Sequence, residues 1–435
     1  MTRSRTALAA LALALALLAA PPAARPARAL DLEQVLREVA AGNPTLAARR
    51  DMVAAARARV PQAGAWPSPM FDLGAVSVPI SGRFDEEPMT MKMLGLAQRV
   101  PLSGRTGIAR RSARAGVTAE GAAAEMAHYE FLGMAWQAYA DAYYAAARAG
   151  RAEDQRGVMD RLVRSSRARY ESGGGRLDDV LRAEAERART LADLAAFRAE
   201  ERAARARLDA LRGRAPGDAG TPLEPPPAMV IPADPAAWRA AVDDAHPRLR
   251  ELDARVARDR FAARAARRMA WPDLEIRGSY GFRQTLQGGR TQDDMWSATL
   301  AVMLPVFAAQ REFAEGAEMD AMADAGAAER HAAALDLEAG VAAVHAEAIA
   351  AQRTVHLMAD TVVVTQRRAL DASWSAYTVG TTDLWRALEA AHALYNEELV
   401  LTRAEQALAG AEARFLSLTG RGDLLGIQLP PALKE

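Results

Sequence analysis

The sharpest pattern in the chain lies between Leu274 and Arg283. Leu274, Ile276, Gly278, Tyr280 and Phe282 alternate with Glu275, Arg277, Ser279, Gly281 and Arg283. One apolar face and one polar face at a period of two predict a half-buried β-strand. Three further segments read as strands, so the candidates are Met70–Ile80, Met91–Val100, Asp273–Arg283 and Met295–Phe307. Each is about as long as a tilted strand must be to cross a bilayer, roughly 9–11 residues. Polar connections, Ser81–Thr90 and Gln284–Asp294, join them in pairs.

Elsewhere the period is helical. Leu132, Trp136, Tyr139 and Tyr143 fall at i, i+4, i+7 and i+11, and Leu384, Leu388, Tyr395 and Leu399 are spaced similarly. Such stripes are seams for neighbouring helices. Proline marks out where the helices run, because inside a helix it costs about 3 kcal/mol. All 22 prolines lie outside two windows, Leu102–Ala215 and Val306–Leu429, both rich in Ala, Arg, Glu and Leu. Each window contains one break, at Glu171–Gly175 and at Val379–Thr382. Glycines end helices and make reversals, so each window reads as a helical hairpin. The first arms run from about Ser103 to Tyr170 and from about Ala308 to Tyr377. At 1.5 Å per residue each is ~100 Å long if continuous. Shorter helices are expected at Leu32–Val60 and Pro235–Met269.

The order of elements occurs twice. Asn43-Pro44, Trp66-Pro67, Val100-Pro101-Leu102, Tyr170-x-x-Gly173 and Leu211-Arg212-Gly213-Arg214 match His246-Pro247, Trp271-Pro272, Leu304-Pro305-Val306, Tyr377-x-x-Gly380 and Leu418-Thr419-Gly420-Arg421, at offsets between 203 and 207. Five matches in order indicate internal duplication. The repeats are expected at 30–214 and 235–421, with a Pro-rich connector at 215–234 and a tail at 422–435.

Four strands cannot close a barrel, and in lipid an open sheet edge leaves backbone groups unpaired. The edges must therefore pair with other copies, and three copies give twelve strands, within the range of outer-membrane barrels. The fold class expected is mainly α with a small β part: a trimeric twelve-stranded barrel continued by an α-helical tube.

Composition removes several other functions. Arg3 and Arg5 precede an apolar run from Ala7 to Ala20 and a small-residue site ending Ala27-Arg28-Ala29. This is the pattern of a secretory signal peptide, so residues 1–29 are expected to be cleaved off. The remainder carries 51 basic and 55 acidic residues, a net charge of −4, which is not the basic balance of a nucleic-acid binder. There is no cysteine, hence no disulfide or thiolate metal site. No nucleophile elbow, paired catalytic carboxylates or metal-ligand spacing is present, so neither an enzyme nor a cofactor is expected. Gly173–Gly175 lacks the Gly-Lys-Ser/Thr of a phosphate loop and reads as a turn. The six histidines are scattered, without a metal-site pattern. Met89, Met91 and Met93 offer thioethers that suit soft cations, but read more simply as apolar residues entering the bilayer.

The duplicated plan, the strand pairs and the two Tyr-x-x-Gly turns resemble the TolC family of outer-membrane efflux proteins. The sharpest similarity runs from Tyr377 through Gly380, Thr381, Asp383 and Glu389 to Ala390, followed by Ala393–Asn396. Asn43-Pro44 and Gln98–Arg105 are most similar to the heavy-metal branch of the CzcC/CusC type. The resemblance implies a homotrimer in outer-membrane lipid with a periplasmic α-barrel. It also implies a periplasmic adaptor (a membrane fusion protein), an RND-type inner-membrane transporter, and metal cations as cargo. Drug efflux or type I protein secretion would use the same duct, and a periplasmic coiled-coil scaffold is the structural alternative. By resemblance, Tyr170, Gly173, Tyr377, Gly380, Thr381 and Asp383 are adaptor-docking tip residues. A gate carboxylate of the family falls on Glu389, and a second falls on Arg386, so the ring is not purely acidic. Arg386 and Glu389 are i and i+3 and can pair within one chain or across a three-fold axis.

Overall fold

The computed structural model describes residues 29–217, 221–227, 231–232, 234–243 and 245–431. The expected signal peptide lies outside them except for its last residue. The described chain forms helices α1 (Leu32–Gly42), α2 (Pro44–Ala63), α3 (Arg105–Glu171), α4 (Leu177–Leu211), a one-turn α5 (Ala236–Arg239), α6 (Pro247–Arg268), α7 (Glu312–Leu357), α8 (Val363–Thr378) and α9 (Leu384–Thr419). The strands are β1 (Met70–Val76), β2 (Met91–Val100), β3 (Asp273–Arg283) and β4 (Met295–Met303). A single π-helical turn, Met358–Val362, joins α7 to α8. No described helix is long and apolar enough to cross a membrane.

The sequence predicts one helix over Leu32–Val60, and the structure divides it. The residue before a proline is pushed out of the helical region, and Asn43, at ψ 122, ends α1 there. Pro44 then opens α2 at the first helical position, where a missing N–H costs nothing. Asn43 closes a second end as well, its Nδ2 donating to the Leu211 carbonyl at 2.8 Å. The Pro235–Met269 helix is likewise shortened to α5 and α6.

The described chain divides into two compact units. One holds residues 29–44, 129–239 and 341–431, the other 45–128 and 240–340. In the first, Leu132, Trp136 and Tyr139 are fully buried, and Leu384, Leu388, Tyr395 and Leu399 are at most 8% exposed, so the predicted seams are packing faces. Gly133 is what lets α3 and α9 touch. A Cβ there would lie 2.6 Å from the Ala413 carbonyl oxygen. The connector is fastened to this unit: the Tyr139 hydroxyl donates to the Leu30 and Glu224 carbonyls at 2.9 and 2.6 Å. Trp238 stacks on Phe415 with ring centroids 3.9 Å apart.

The second unit carries an antiparallel sheet in the order β1-β2-β3-β4. β2 and β3 occupy the predicted spans. β1 stops short of Ile80 because Ser77 adopts φ 57, a region few non-glycine residues enter, and its carbonyl accepts from Thr90 Oγ1 at 2.6 Å. β4 stops at Met303, just before Leu304-Pro305. Among the described residues β1 and β4 each pair on one side only.

Candidate functional site

Two regions carry the residues singled out in the sequence, the sheet and the two hairpin turns. In the sheet, register assigns every side chain to a face, because residues paired directly across strands share one. Leu73, Leu94, Tyr280 and Trp296 form one row, and Phe71, Leu96, Gly278 and Ala298 the next. The opposite face holds Asp72, Arg99, Glu275, Arg277 and Arg283, with Arg277 3.8 Å from Asp72 and Arg99 3.7 Å from Glu275. The large residues of the apolar face stand uncovered: Leu73 is 77% and Trp296 76% exposed. A sheet with one bare apolar face and one charged face is the wall of a barrel set in lipid around a polar interior. Tryptophan and tyrosine on the apolar side are the residues that settle at a membrane boundary.

The methionine cluster requires a correction. Met91 and Met93 are not on the apolar face. They pair with Arg283 and Gly281, and Met295 pairs with Gly281 from the other side. Three thioethers thus surround Gly281 on the polar face, and a Cβ on Gly281 would meet the Met91 sulfur at 2.6 Å.

At the turns, the backbone follows one plan twice. Gly173 and Gly380 take φ +77 and +81, positions that favour glycine. Their N–H groups donate to the Tyr170 and Tyr377 carbonyls at 3.0 and 3.1 Å, and the next residues reach back to Arg169 and Ala376 at 2.9 and 3.0 Å. This is the paired-bond ending that satisfies orphan carbonyls of a helix C-terminus. Thr381 adds its hydroxyl to the Ala376 carbonyl at 3.0 Å. Asp383 caps α9, its Oδ1 accepting from the Arg386 N–H at 3.2 Å. Gly173, Gly380, Thr381 and Asp383 therefore shape exposed turns.

The two tyrosines part company. Tyr170 is 47% exposed, whereas Tyr377 is 3% exposed, so the grouping of both among exposed tip residues is corrected for Tyr377. Its ring packs in a core of Met159, Leu162, Val163, Ala183, Leu384 and Leu388. Burial first of all pushes its phenol pKa up, against the opposing effects of Ser165 and Arg169. Arg169 binds the second turn to the first. Its Nη1 donates to the Tyr377 carbonyl at 2.8 Å, and its guanidinium lies 5.0 Å from the centre of the Tyr377 ring. The sequence offers no sign of Arg169, since its partner is 208 residues away. Trp385, 57% exposed, is a second tip residue missed by sequence reading.

Arg386 and Glu389 lie on the exposed side of the first turns of α9. The structure does not bring them together: among the described residues neither side chain forms an ion pair within 4.0 Å.

Known proteins agree with this architecture. The family profile described as "Outer membrane efflux protein" matches residues 35–214 and again 241–421. Outer membrane efflux protein BepC of Brucella suis biovar 1 (strain 1330) is 26% identical over 295 residues, an alignment spanning 67% of this chain and 64% of BepC. Among solved structures, the outer-membrane channel OprN is similar with TM-score 0.75 at 21% identity, covering 89% of this chain and 90% of its own. CusC is similar with TM-score 0.73 at 16% identity, covering 94% and 95%. The chain belongs to the outer membrane efflux protein family, whose members are TolC-like channels of the outer membrane and not enzymes.

Proposed function

We propose that this chain is the outer-membrane subunit of a tripartite efflux pump. Three copies close one twelve-stranded barrel, and their helices continue it as a passive duct, supplied by a periplasmic adaptor and an RND-type inner-membrane transporter. The observation that carries this reading is the sheet itself. Its apolar face is bare and its opposite face charged, and among the described residues both outer strands pair on one side only. Pairing with further copies satisfies the edges and covers neither face, as lipid and water then do. The doubled order of elements, at 30–214 and 235–421 with a connector between, supplies two strand pairs and two hairpins per subunit.

Metal cations are the cargo this reading favours. Met91, Met93 and Met295 around Gly281 put soft ligands on the polar face, where a passing Cu(I)-like ion meets them. Arg386 and Glu389, exposed and without an ion-pair partner among the described residues, act as a gate ring between subunits. Tyr170, Gly173, Gly380, Thr381 and Asp383 form the adaptor-docking tips, with Tyr377 holding the second tip from inside.

Planar-bilayer conductance of the detergent-extracted protein, with its mass in detergent, tests the duct. Discrete channels from a trimer are expected, and a monomer that extracts without detergent and carries no current refutes it. Glu389→Gln should raise leak current, and an unchanged current removes Glu389 from the gate. Loss of the gene should lower tolerance of copper or silver ions. Loss of tolerance to organic toxicants instead would assign the duct to drugs.

A further inference from the structure

A cavity of about 320 Å³ lies beneath the connector, between Pro225–Pro227 and helices α3, α7 and α9. Its walls include Tyr143, Tyr144, Glu405 and Glu412, with His356 among its lining residues. His356 is largely exposed and lies 3.9 Å from Asp360. Three features set this cavity apart from a packing gap.

The first is Glu412. It is 2% exposed and has no hydrogen-bond or ion-pair partner among the described residues, although it lines a space large enough for one. A buried, unpaired carboxylate is costly, and burial pushes its pKa up to about 8. The second is the sign of the lining. In a chain with 55 lysines and arginines, none lines this cavity. Glu405 stands two helical turns before Glu412 on the same face of α9, roughly 10 Å along the axis. Burial raises its pKa too, opposed by Arg151. The Tyr144 hydroxyl lies in the field of both: after burial, Glu405, Tyr143 and Glu412 are what raise its pKa. The third is the apolar frame. Tyr143 and Tyr144 meet edge to face with ring centroids 5.1 Å apart, opposite the prolines.

We propose that this cavity binds an organic ammonium ion, its charge held by Glu412 and Glu405 and its carbon chain by the two tyrosines and the connector prolines. Carboxylates supply the countercharge, and aromatic faces attract a cation that has shed its water. A hydrated divalent metal fits poorly. Among the described residues no group of three or more His, Asp or Glu is placed to hold one. Binding draws Glu412 into its charged form, so a proton leaves as the ammonium enters. The titratable groups that face this exchange are Glu405, Tyr143, Tyr144 and His356, with Arg151 acting on Glu405.

Titration calorimetry of the full-length protein in detergent at pH 7, with 1,5-diaminopentane as probe, tests the assignment. Saturable binding is expected, with a heat that changes with the ionisation enthalpy of the buffer, and 1,5-pentanediol should give none. Glu412→Gln should weaken the diamine at least about tenfold. The variant should fold normally, because it replaces the buried, unpaired carboxyl, whose charged form burial disfavours, by a neutral group of nearly equal shape. Tyr144→Phe, which removes only the hydroxyl, should weaken it less. No saturable heat with the diamine, equal binding of the diol, or unchanged affinity in Glu412→Gln overturns the proposal.

Discussion

The two hairpin turns share a backbone and differ in everything that touches it. In both, a tyrosine is followed three residues later by a left-handed glycine, and the same two reverse hydrogen bonds close the helix. Yet Tyr170 stands half in solvent while Tyr377 is enclosed by α3, α4 and α9. The motif therefore specifies how the chain reverses. What the tyrosine does is decided by the helices that surround it. The asymmetry also has a direction: Arg169, the neighbour of the exposed tyrosine, spends its charge on the buried one.

The strongest way to break this contrast is to truncate each tyrosine. Tyr377→Ala should cost ~3–5 kcal/mol of local stability, as large-to-small core changes do, and Tyr170→Ala should stay within about 0.5 kcal/mol. Amide hydrogen exchange in the two turns reads both, and equal effects would erase the distinction. Arg169→Ala should come next. It loses a charge-assisted hydrogen bond and a cation–π contact, together ~2 kcal/mol, and exchange should speed up at Gly380 and Thr381. Gly173→Ala and Gly380→Ala should each cost about 1 kcal/mol, because the shared backbone strain is the part of the motif that does not depend on surroundings. Unequal costs would mean that the backbone plans differ after all.

The smallest effect is in pH. Tyr377 has a raised folded pKa. Below the unfolded value of about 10 both states keep the proton and nothing changes. Above it the unfolded chain ionises first, so stability of the second tip falls as pH rises towards the folded pKa. Tyr377→Phe should abolish that alkaline loss, as monitored by exchange at Gly380.

Local patterns carried the elements further than they carried the contacts. β3 was legible to the residue because its alternation is long and uninterrupted, and β2 because the polar loop before Met91 and Pro101 after Val100 bound it. The end of β1 was not, since it depends on Ser77 accepting from Thr90. The break at Asn43-Pro44 was visible as a motif and was absorbed as a repeat marker, although proline alone predicts the helix end there. Met91 and Met93 sit in a stretch too apolar to reveal its two faces; only pairing with Gly281 and Arg283 separates them. Glu412 lay within an ordinary helical run, and nothing in its neighbours announced the cavity beside it.

The π-helical turn has a further consequence. The second arm, in segments of 46, 5 and 16 residues, is as long in count as the 67 residues of α3. A wide turn holds about one residue more than an α turn, a step of ~100° around the axis. Two arms counted back from their tips by equal numbers thus go out of phase beyond Met358. Any attempt to transplant a surface from one arm to the other by sequence offset would deliver the right side chains to the wrong compass bearing.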